Sequence, residues 1–211
     1  KLHYILCTIL KNHASVEKKA LGTIFFSNCN MNCIYCQNYE ISQQGRGKEI
    51  TIEELANIFL IQQEKGVQNV NLVTPTSYVP QIIEAIKIAR KNGFNLPIVY
   101  NTNGYENIET IKMLRGYIDI YLPDLKYHYN ELGEKYSKVR DYFGIATEAI
   151  KEMYSQVGEP VLDDNTGQMT CSGKEEVTVD DNTKCRDYVA PSCPNGYTWN
   201  GTSKTCEKPQ R

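Results

Sequence analysis

No apolar run in this chain of 211 residues reaches the roughly 18 residues that a membrane-spanning helix needs. The protein is therefore expected to be soluble. Charge of one sign is not in surplus either: 23 Lys and Arg against 25 Asp and Glu leave a formal net charge of -2. That supplies no basic field for nucleic acid or for an anionic membrane, so neither is an expected partner. Histidine is scarce, with three residues too scattered to suggest a ligand set. Isoleucine is absent after Ile150 and leucine after Leu162, and a stretch without them builds little hydrophobic core. What the chain does have is 41% apolar and 23% charged residues, ordinary for one sizeable folded domain with or without a small appendage. A small substrate or a protein partner is the expected counterpart.

The opening "KLHYILCTIL" carries one Lys and a short apolar stretch, but "KNHASVEKK" follows where a signal peptide would have a small-residue cleavage site. It reads as a strand or helix edge of the main domain. Residue 1 is Lys rather than Met, as in a fragment or a processed product.

From residue 22 a rhythm sets in. "GTIFFS" (22–27), "NVNLVT" (69–74), "PIVYNTN" (97–103) and "IDIYLPD" (118–124) are short apolar or β-branched runs suited to buried strands. Helical patterns separate the later three. Thr51 followed by Glu54 forms a capping box opening "IEELANIFLIQQEK", with Gly66 as its stop. Pro80 suits the first turn of "PQIIEAIKIARKN", which ends at Gly93, and "NIETIKMLR" ends at Gly116. Such alternation predicts an α/β fold of βα units with a parallel sheet, whose functional groups gather at the carboxyl ends of the strands.

Directly after the first of these strands comes "CNMNCIYC", with Cys29, Cys33 and Cys36 spaced C-x3-C-x2-C. Thiolates are soft donors that select zinc, cuprous copper or iron–sulfur clusters. Three of them leave one position open. A structural zinc site wants a fourth ligand, usually in a second close pair; Cys7, His3 and His13 are available, but none sits in such a pair. A structural disulfide among the three is a further alternative.

The loop "CNMNCIYC" resembles the signature of the radical S-adenosylmethionine (SAM) superfamily, C-x3-C-x-aromatic-C, with Tyr35 in the aromatic place. The longer run "GTIFFSNCNMNCIYCQNYEIS", followed by "NLVTPTSYVPQI", "NTNGYE" and "IDIYLPDLKY", is similar to the branch related to pyruvate formate-lyase activating enzymes. Four motifs in order on successive predicted strands, over roughly residues 20 to 163, make the resemblance specific. It implies a partial TIM barrel, an oxidoreductase-like activity and a [4Fe-4S] cluster held by Cys29, Cys33 and Cys36. The fourth iron would chelate SAM, whose reductive cleavage yields a 5′-deoxyadenosyl radical, with the protein supplying orientation and shelter. An electron donor such as flavodoxin or ferredoxin, and a protein or small-molecule substrate, are the implied partners.

By position, the resemblance gives Tyr35 the adenine of SAM, and Thr74, Pro75 and Thr76 its amino group. Asn101 and Asn103 would serve the ribose or the methionine carboxylate, and Asp124 with Lys126 would flank SAM from the fourth strand. Each has a plainer reading: packing for Tyr35, turns at Pro75 and before Gly104, and a surface ion pair for Asp124 and Lys126. Two positions depart from the family pattern. Asn28 stands where relatives often carry Gly, and Ser77 where many carry His.

Relatives carry about six βα units, whereas good strand patterns here number four, followed by the helical "YFGIATEAIKEMYSQVG" and "EPVLDDNTG". The expected organisation is a truncated partial-barrel domain over residues 1–164 and, over 165–211, a small irregular cysteine-rich tail, loosely packed or separate. Cys171, Cys185, Cys193 and Cys206 allow three pairings, and Asn200-Gly201-Thr202 is a glycosylation sequon by pattern. Disulfides belong in an oxidising compartment and an oxygen-sensitive cluster in a reducing one. The simplest account is a truncated catalytic domain joined to foreign sequence, with a reducing compartment and four free tail thiols as the alternative, and the cytoplasm is the expected location. Besides the enzyme, two other readings stand: an iron–sulfur or metal-binding electron carrier without SAM chemistry, and an inert domain fused to a cysteine-rich binding module.

Overall fold

The computed structural model describes residues 5–9, residues 22–158, and short strands at 161–162, 169–170, 175–179, 182–186, 198–200 and 205–207. The chain divides into two compact units, Lys1–Glu159 and Pro160–Arg211.

The first unit is α/β. Its four predicted strands form, as β2 (Gly22–Phe26), β4 (Val70–Val73), β5 (Ile98–Thr102) and β6 (Ile120–Pro123), and pair in that order, all parallel. Ile24 lies opposite Leu72, Leu72 opposite Tyr100, and Tyr100 opposite Tyr121. This register stacks one row of large side chains on one face of the sheet. Asp119 falls just ahead of β6 rather than inside it, where its carboxylate accepts the Ile98 N–H at 2.8 Å and its own N–H donates to the Ile98 carbonyl.

Two further strands make the sheet mixed. The chain opening forms β1 (Ile5–Ile9), antiparallel to β2, and β3 (Lys48–Ile50) adds antiparallel to β1. The full order is β3-β1-β2-β4-β5-β6. An antiparallel edge on a parallel sheet is a common solution, since it pairs backbone groups that β2 would otherwise leave open. At the opposite end β6 pairs with β5 alone among the described residues, and Leu122 on it is half-exposed.

The helices follow their local signals. α2 (Ile52–Glu64) begins with both hydrogen bonds of the capping box, Thr51 Oγ1 accepting from the Glu54 N–H and Glu54 Oε2 from the Thr51 N–H. α3 (Val79–Lys91), with Pro80 in its first turn, buries Val79, Ile82, Ile83, Ile86 and Ala89, a 3.6-residue repeat. These pack with Phe59 of α2, the row Ile24, Leu72, Ile98 and Tyr100, Ile111 of α4 (Ile108–Met113), and Ala149 and Met153 of α6 (Tyr142–Val157). One helical layer therefore covers one face, consistent with a partial (βα) barrel.

A short turn of helix, α1 (Tyr39–Ser42), follows the cysteine loop, and α5 (Asn130–Ser137) lies between β6 and α6. Sequence periodicity does not reveal α5, because Gly133 in its middle weakens helical propensity. Packing favours that glycine: a Cβ there would lie 3.0 Å from Tyr142 Cβ, tighter than ordinary contact. Among the described residues no helix is long and apolar enough to cross a membrane.

In the second unit β7 (Val161–Leu162) pairs with β8 (Met169–Thr170), β9 (Glu175–Val179) with β10 (Asn182–Arg186), and β11 (Thr198–Asn200) with β12 (Thr205–Glu207), each pair antiparallel. The expected pairing of the tail cysteines, the sequon after Asn200, the Cys7 side chain, His3 and His13 lie outside the described residues.

Candidate functional site

Chain direction brings the candidate residues together. β2, β4, β5 and β6 run the same way, so Cys29, Thr74, Asn103 and Asp124, each one to three residues past a strand, share one end of the sheet. The exits are not relaxed backbone. Asn28 has φ 62° and Thr74 φ 57°, left-handed values that cost most non-glycine residues about 1–2 kcal/mol. Asn tolerates that region best, which explains why it can stand where relatives often have Gly. Thr74 is β-branched and precedes Pro75, so its geometry is strained; its N–H is held by the Asn101 carbonyl at 2.9 Å.

The two departures from the family pattern meet in space. Ser77 Oγ donates to the Asn28 carbonyl at 3.0 Å, and the Asn28 side-chain amide donates to the Tyr78 hydroxyl at 3.1 Å. A polar clasp thus joins the β2 and β4 exits.

The cysteine loop is fastened at both ends. The Cys29 N–H donates to the Ser42 carbonyl, and the N–H groups of Asn32 and Ile34 donate to the carbonyls of Ser137 and Tyr136 in the last turn of α5. Met31 and Cys33 are buried with Tyr127, Val139, Tyr142 and Ala146 in a second apolar cluster, separate from the main core. All three cysteines are free thiols, and each sulfur has a hydrogen-bonding neighbour. Cys29 Sγ accepts from the Met31 N–H and from Asn103 Nδ2, both at 3.4 Å; Ser137 Oγ donates to Cys33 Sγ at 2.9 Å; Cys36 Sγ and Ser42 Oγ are 3.2 Å apart. Burial pushes the Cys29 thiol up in spite of its donors. A bound cation is what favours its thiolate.

The other candidates are placed as follows. Asn103 is buried and its amide is fully engaged, Nδ2 on Cys29 Sγ and on Asn30 Oδ1, Oδ1 on the Tyr105 N–H. Asn101 lies on β5 beside Val73 of β4. Thr76 Oγ1 donates to Glu106 Oε1 at 2.7 Å, so its hydroxyl is turned to that carboxylate. Asp124 and Lys126 pair with each other at 2.5 Å, with the Asp124 side chain more than half exposed. Tyr35 is 53% exposed, and its hydroxyl hydrogen-bonds that of Tyr127.

Sequence reasoning missed Ser42, Tyr127, Ser137, Tyr142 and Glu106. The buried Tyr142 hydroxyl reaches the Asn103 carbonyl at 2.7 Å, the Asp124 carbonyl at 2.9 Å and the Lys126 N–H at 2.9 Å, joining the β5 and β6 exits. Burial pushes it up to about 12, so it keeps its proton near neutral pH. Glu106 is 2% exposed; its Oε1 accepts from Thr76, Tyr100 and Thr102, while Oε2 has no partner among the described residues. It lines a cleft of about 720 Å³ with Asn30, Thr76, Asp141, Thr147 and Glu148, and no Lys or Arg faces that cleft among the described residues. The only available signal was position, since Glu106 ends the quoted "NTNGYE" and Tyr127 ends "DLKY".

Fold and loop together define a (βα) protein with a three-thiol loop at the exit of its first parallel strand. Residues 23–162 match the model of the Radical SAM superfamily, and the chain belongs to that superfamily. It is similar to two proteins of Methanocaldococcus jannaschii. One is "Uncharacterized protein MJ0674", 36% identical over 157 residues, covering 66% of this chain and 45% of the relative. The other is "Uncharacterized protein MJ0808", 33% identical over 113 residues, covering 47% of this chain and 33% of the relative. The chain spans less than half the length of either.

Members of the superfamily generally bind a [4Fe-4S] cluster and SAM. The donor set fits a cluster in its chemistry: three free thiols in one loop are soft donors once ionised, one for each of three irons.

Proposed function

We propose that Cys29, Cys33 and Cys36 each hold one iron of a [4Fe-4S] cluster and that the chain cleaves SAM reductively, as an activating-type enzyme whose substrate is a glycine of a partner protein. Three free thiols in one fastened loop, each sulfur with a hydrogen-bonding neighbour, are the observation that carries this reading. The bound group supplies the chemistry of one-electron cleavage of a sulfonium carbon–sulfur bond. The chain's own part is positioning. Tyr142 keeps the exits of β5 and β6 at a fixed separation, so that Asn103 stays against the cysteine loop while Asp124 and Lys126 face SAM. Tyr35, exposed beside Cys36, offers its ring to the adenine, and the backbone carbonyls of Thr74 to Thr76 receive the amino group. Asn101, on β5 beside Val73, serves the methionine carboxylate or ribose. A one-electron donor of the flavodoxin or ferredoxin class completes the system.

The test is anaerobic reconstitution of the whole chain with iron and sulfide, then incubation with SAM and dithionite. 5′-Deoxyadenosine is expected from the wild type, and iron content should fall in Cys29→Ala, Cys33→Ala and Cys36→Ala. Undiminished iron in Cys33→Ala would overturn the ligand assignment. A loaded wild-type cluster that yields no 5′-deoxyadenosine would favour an electron carrier instead.

A further inference from the structure

A chain of hydroxyl groups leads from the surface to one sulfur of the loop. Tyr35 bonds Tyr127 through their hydroxyls, the Tyr127 hydroxyl lies 2.6 Å from Ser137 Oγ, and Ser137 Oγ lies 2.9 Å from Cys33 Sγ. Ser137 is fully buried, and Cys33 and Tyr127 are 8% and 7% exposed. Water therefore does not compete at the inner links.

Proton counting fixes the direction of the chain. An iron-bound thiolate carries no proton and can only accept, so the single Ser137 hydroxyl proton must point at Cys33. Ser137 then accepts from Tyr127, and Tyr127, its one proton spent, accepts from Tyr35. All three donors point toward the sulfur, the alignment in which successive hydrogen bonds polarise one another. The backbone holds the register: the N–H groups of Asn32 and Ile34, on either side of Cys33, donate to the carbonyls of Ser137 and Tyr136 at 3.0 and 2.9 Å. The other two sulfurs differ. Cys29 has two longer donors at 3.4 Å, the Met31 N–H and the Asn103 amide, neither of them a hydroxyl, and Cys36 has Ser42 at 3.2 Å with no further link among the described hydrogen bonds.

We propose that Ser137, oriented by the Tyr127 and Tyr35 hydroxyls, is a positioning residue whose hydrogen bond to the Cys33 sulfur raises the reduction potential of the bound cluster. The inference rests on the cluster reading above. Adding an electron increases the negative charge on the thiolate sulfurs, so a donor aimed at one of them favours the reduced state more than the oxidised one. A buried bond of this kind is also the least screened.

The experiment compares wild type, Ser137→Ala, Tyr127→Phe and Ser137→Thr as whole chains reconstituted anaerobically, with iron content, visible absorbance and the midpoint potential measured on each. The expected result is unchanged iron with a more negative potential in Ser137→Ala, the ratio of reduced to oxidised cluster at a fixed potential falling about tenfold, or ~59 mV for one electron. Tyr127→Phe should move it the same way by less, and Ser137→Thr, which restores the hydroxyl, should return it toward wild type. Full iron with an unmoved potential in Ser137→Ala overturns this inference and leaves the cluster reading standing. If Ser137→Ala fails to load, Tyr127→Phe decides, because it keeps the Ser137 donor and the loop contacts; an unmoved potential there overturns the chain of hydroxyls. A wild-type chain that takes up no iron removes both readings.

Discussion

Gly104 sits where the β5 and β6 exits come closest, and replacing it by Ala tests whether that approach is as tight as the geometry states. Its φ is +79°, and a Cβ built there would lie 2.3 Å from the Asp124 carbonyl oxygen and 3.3 Å from the Tyr142 hydroxyl. The first contact is with backbone and cannot be relieved by a rotamer. Left-handed strain contributes about 1–2 kcal/mol. Overpacking against a fixed carbonyl contributes about 1–3 kcal/mol more, so the expected loss is roughly 2–5 kcal/mol. Gly93 is the control, with φ +89° and nothing within 4 Å of its added Cβ. Gly93→Ala should cost only the strain. Urea unfolding followed by the far-ultraviolet signal of the helices measures both, and a change of midpoint at constant slope reports stability. Equal losses in the two variants would refute the close approach. The Asp124 carbonyl also receives the Tyr142 hydroxyl at 2.9 Å, so a folded Gly104→Ala protein should bind SAM more weakly than Gly93→Ala.

Burial holds the Glu106 carboxyl above the ordinary range in spite of its donors Thr102, Thr76 and Tyr100. A carboxyl raised in the folded state contributes stability that is fully present below its unfolded value and is lost as pH rises through its folded value. Urea midpoints from about pH 4 to about pH 8 should therefore decline more steeply in wild type than in Glu106→Gln, and parallel profiles would sink the assignment. Asp124→Asn and Lys126→Met should each weaken SAM binding, measured by equilibrium dialysis, while leaving the absorbance of the reconstituted cluster intact. Unchanged affinity in both would return the pair to a surface ion pair worth about 0–1 kcal/mol.

The sequence by itself determined the elements whose signals are local. Short apolar and β-branched runs specified β2, β4, β5 and β6, and the Thr51–Glu54 box, Pro80 and the glycines after α2, α3 and α4 placed those helix ends to within about three residues, because propensity and capping act locally. The C-x3-C-x2-C spacing likewise marked the thiols without reference to the fold. Tertiary structure alone decided what meets them. Ser137 is 104 positions from Cys33, and Asn103 is 74 from Cys29, with no periodicity linking either pair. The same holds for Ser77 on Asn28, which turns two separate departures from the family pattern into one contact across 49 positions. α5 was illegible because Gly133 argues against a helix locally and is favoured only by the closeness of Tyr142 and the Val139 carbonyl in the folded chain. The antiparallel edge was illegible because pairing direction depends on how the chain returns, and β1 contains nothing that distinguishes a parallel partner from an antiparallel one. Strands and caps are written in neighbouring residues, whereas hydrogen-bond partners across a site are written in the path of the backbone between them.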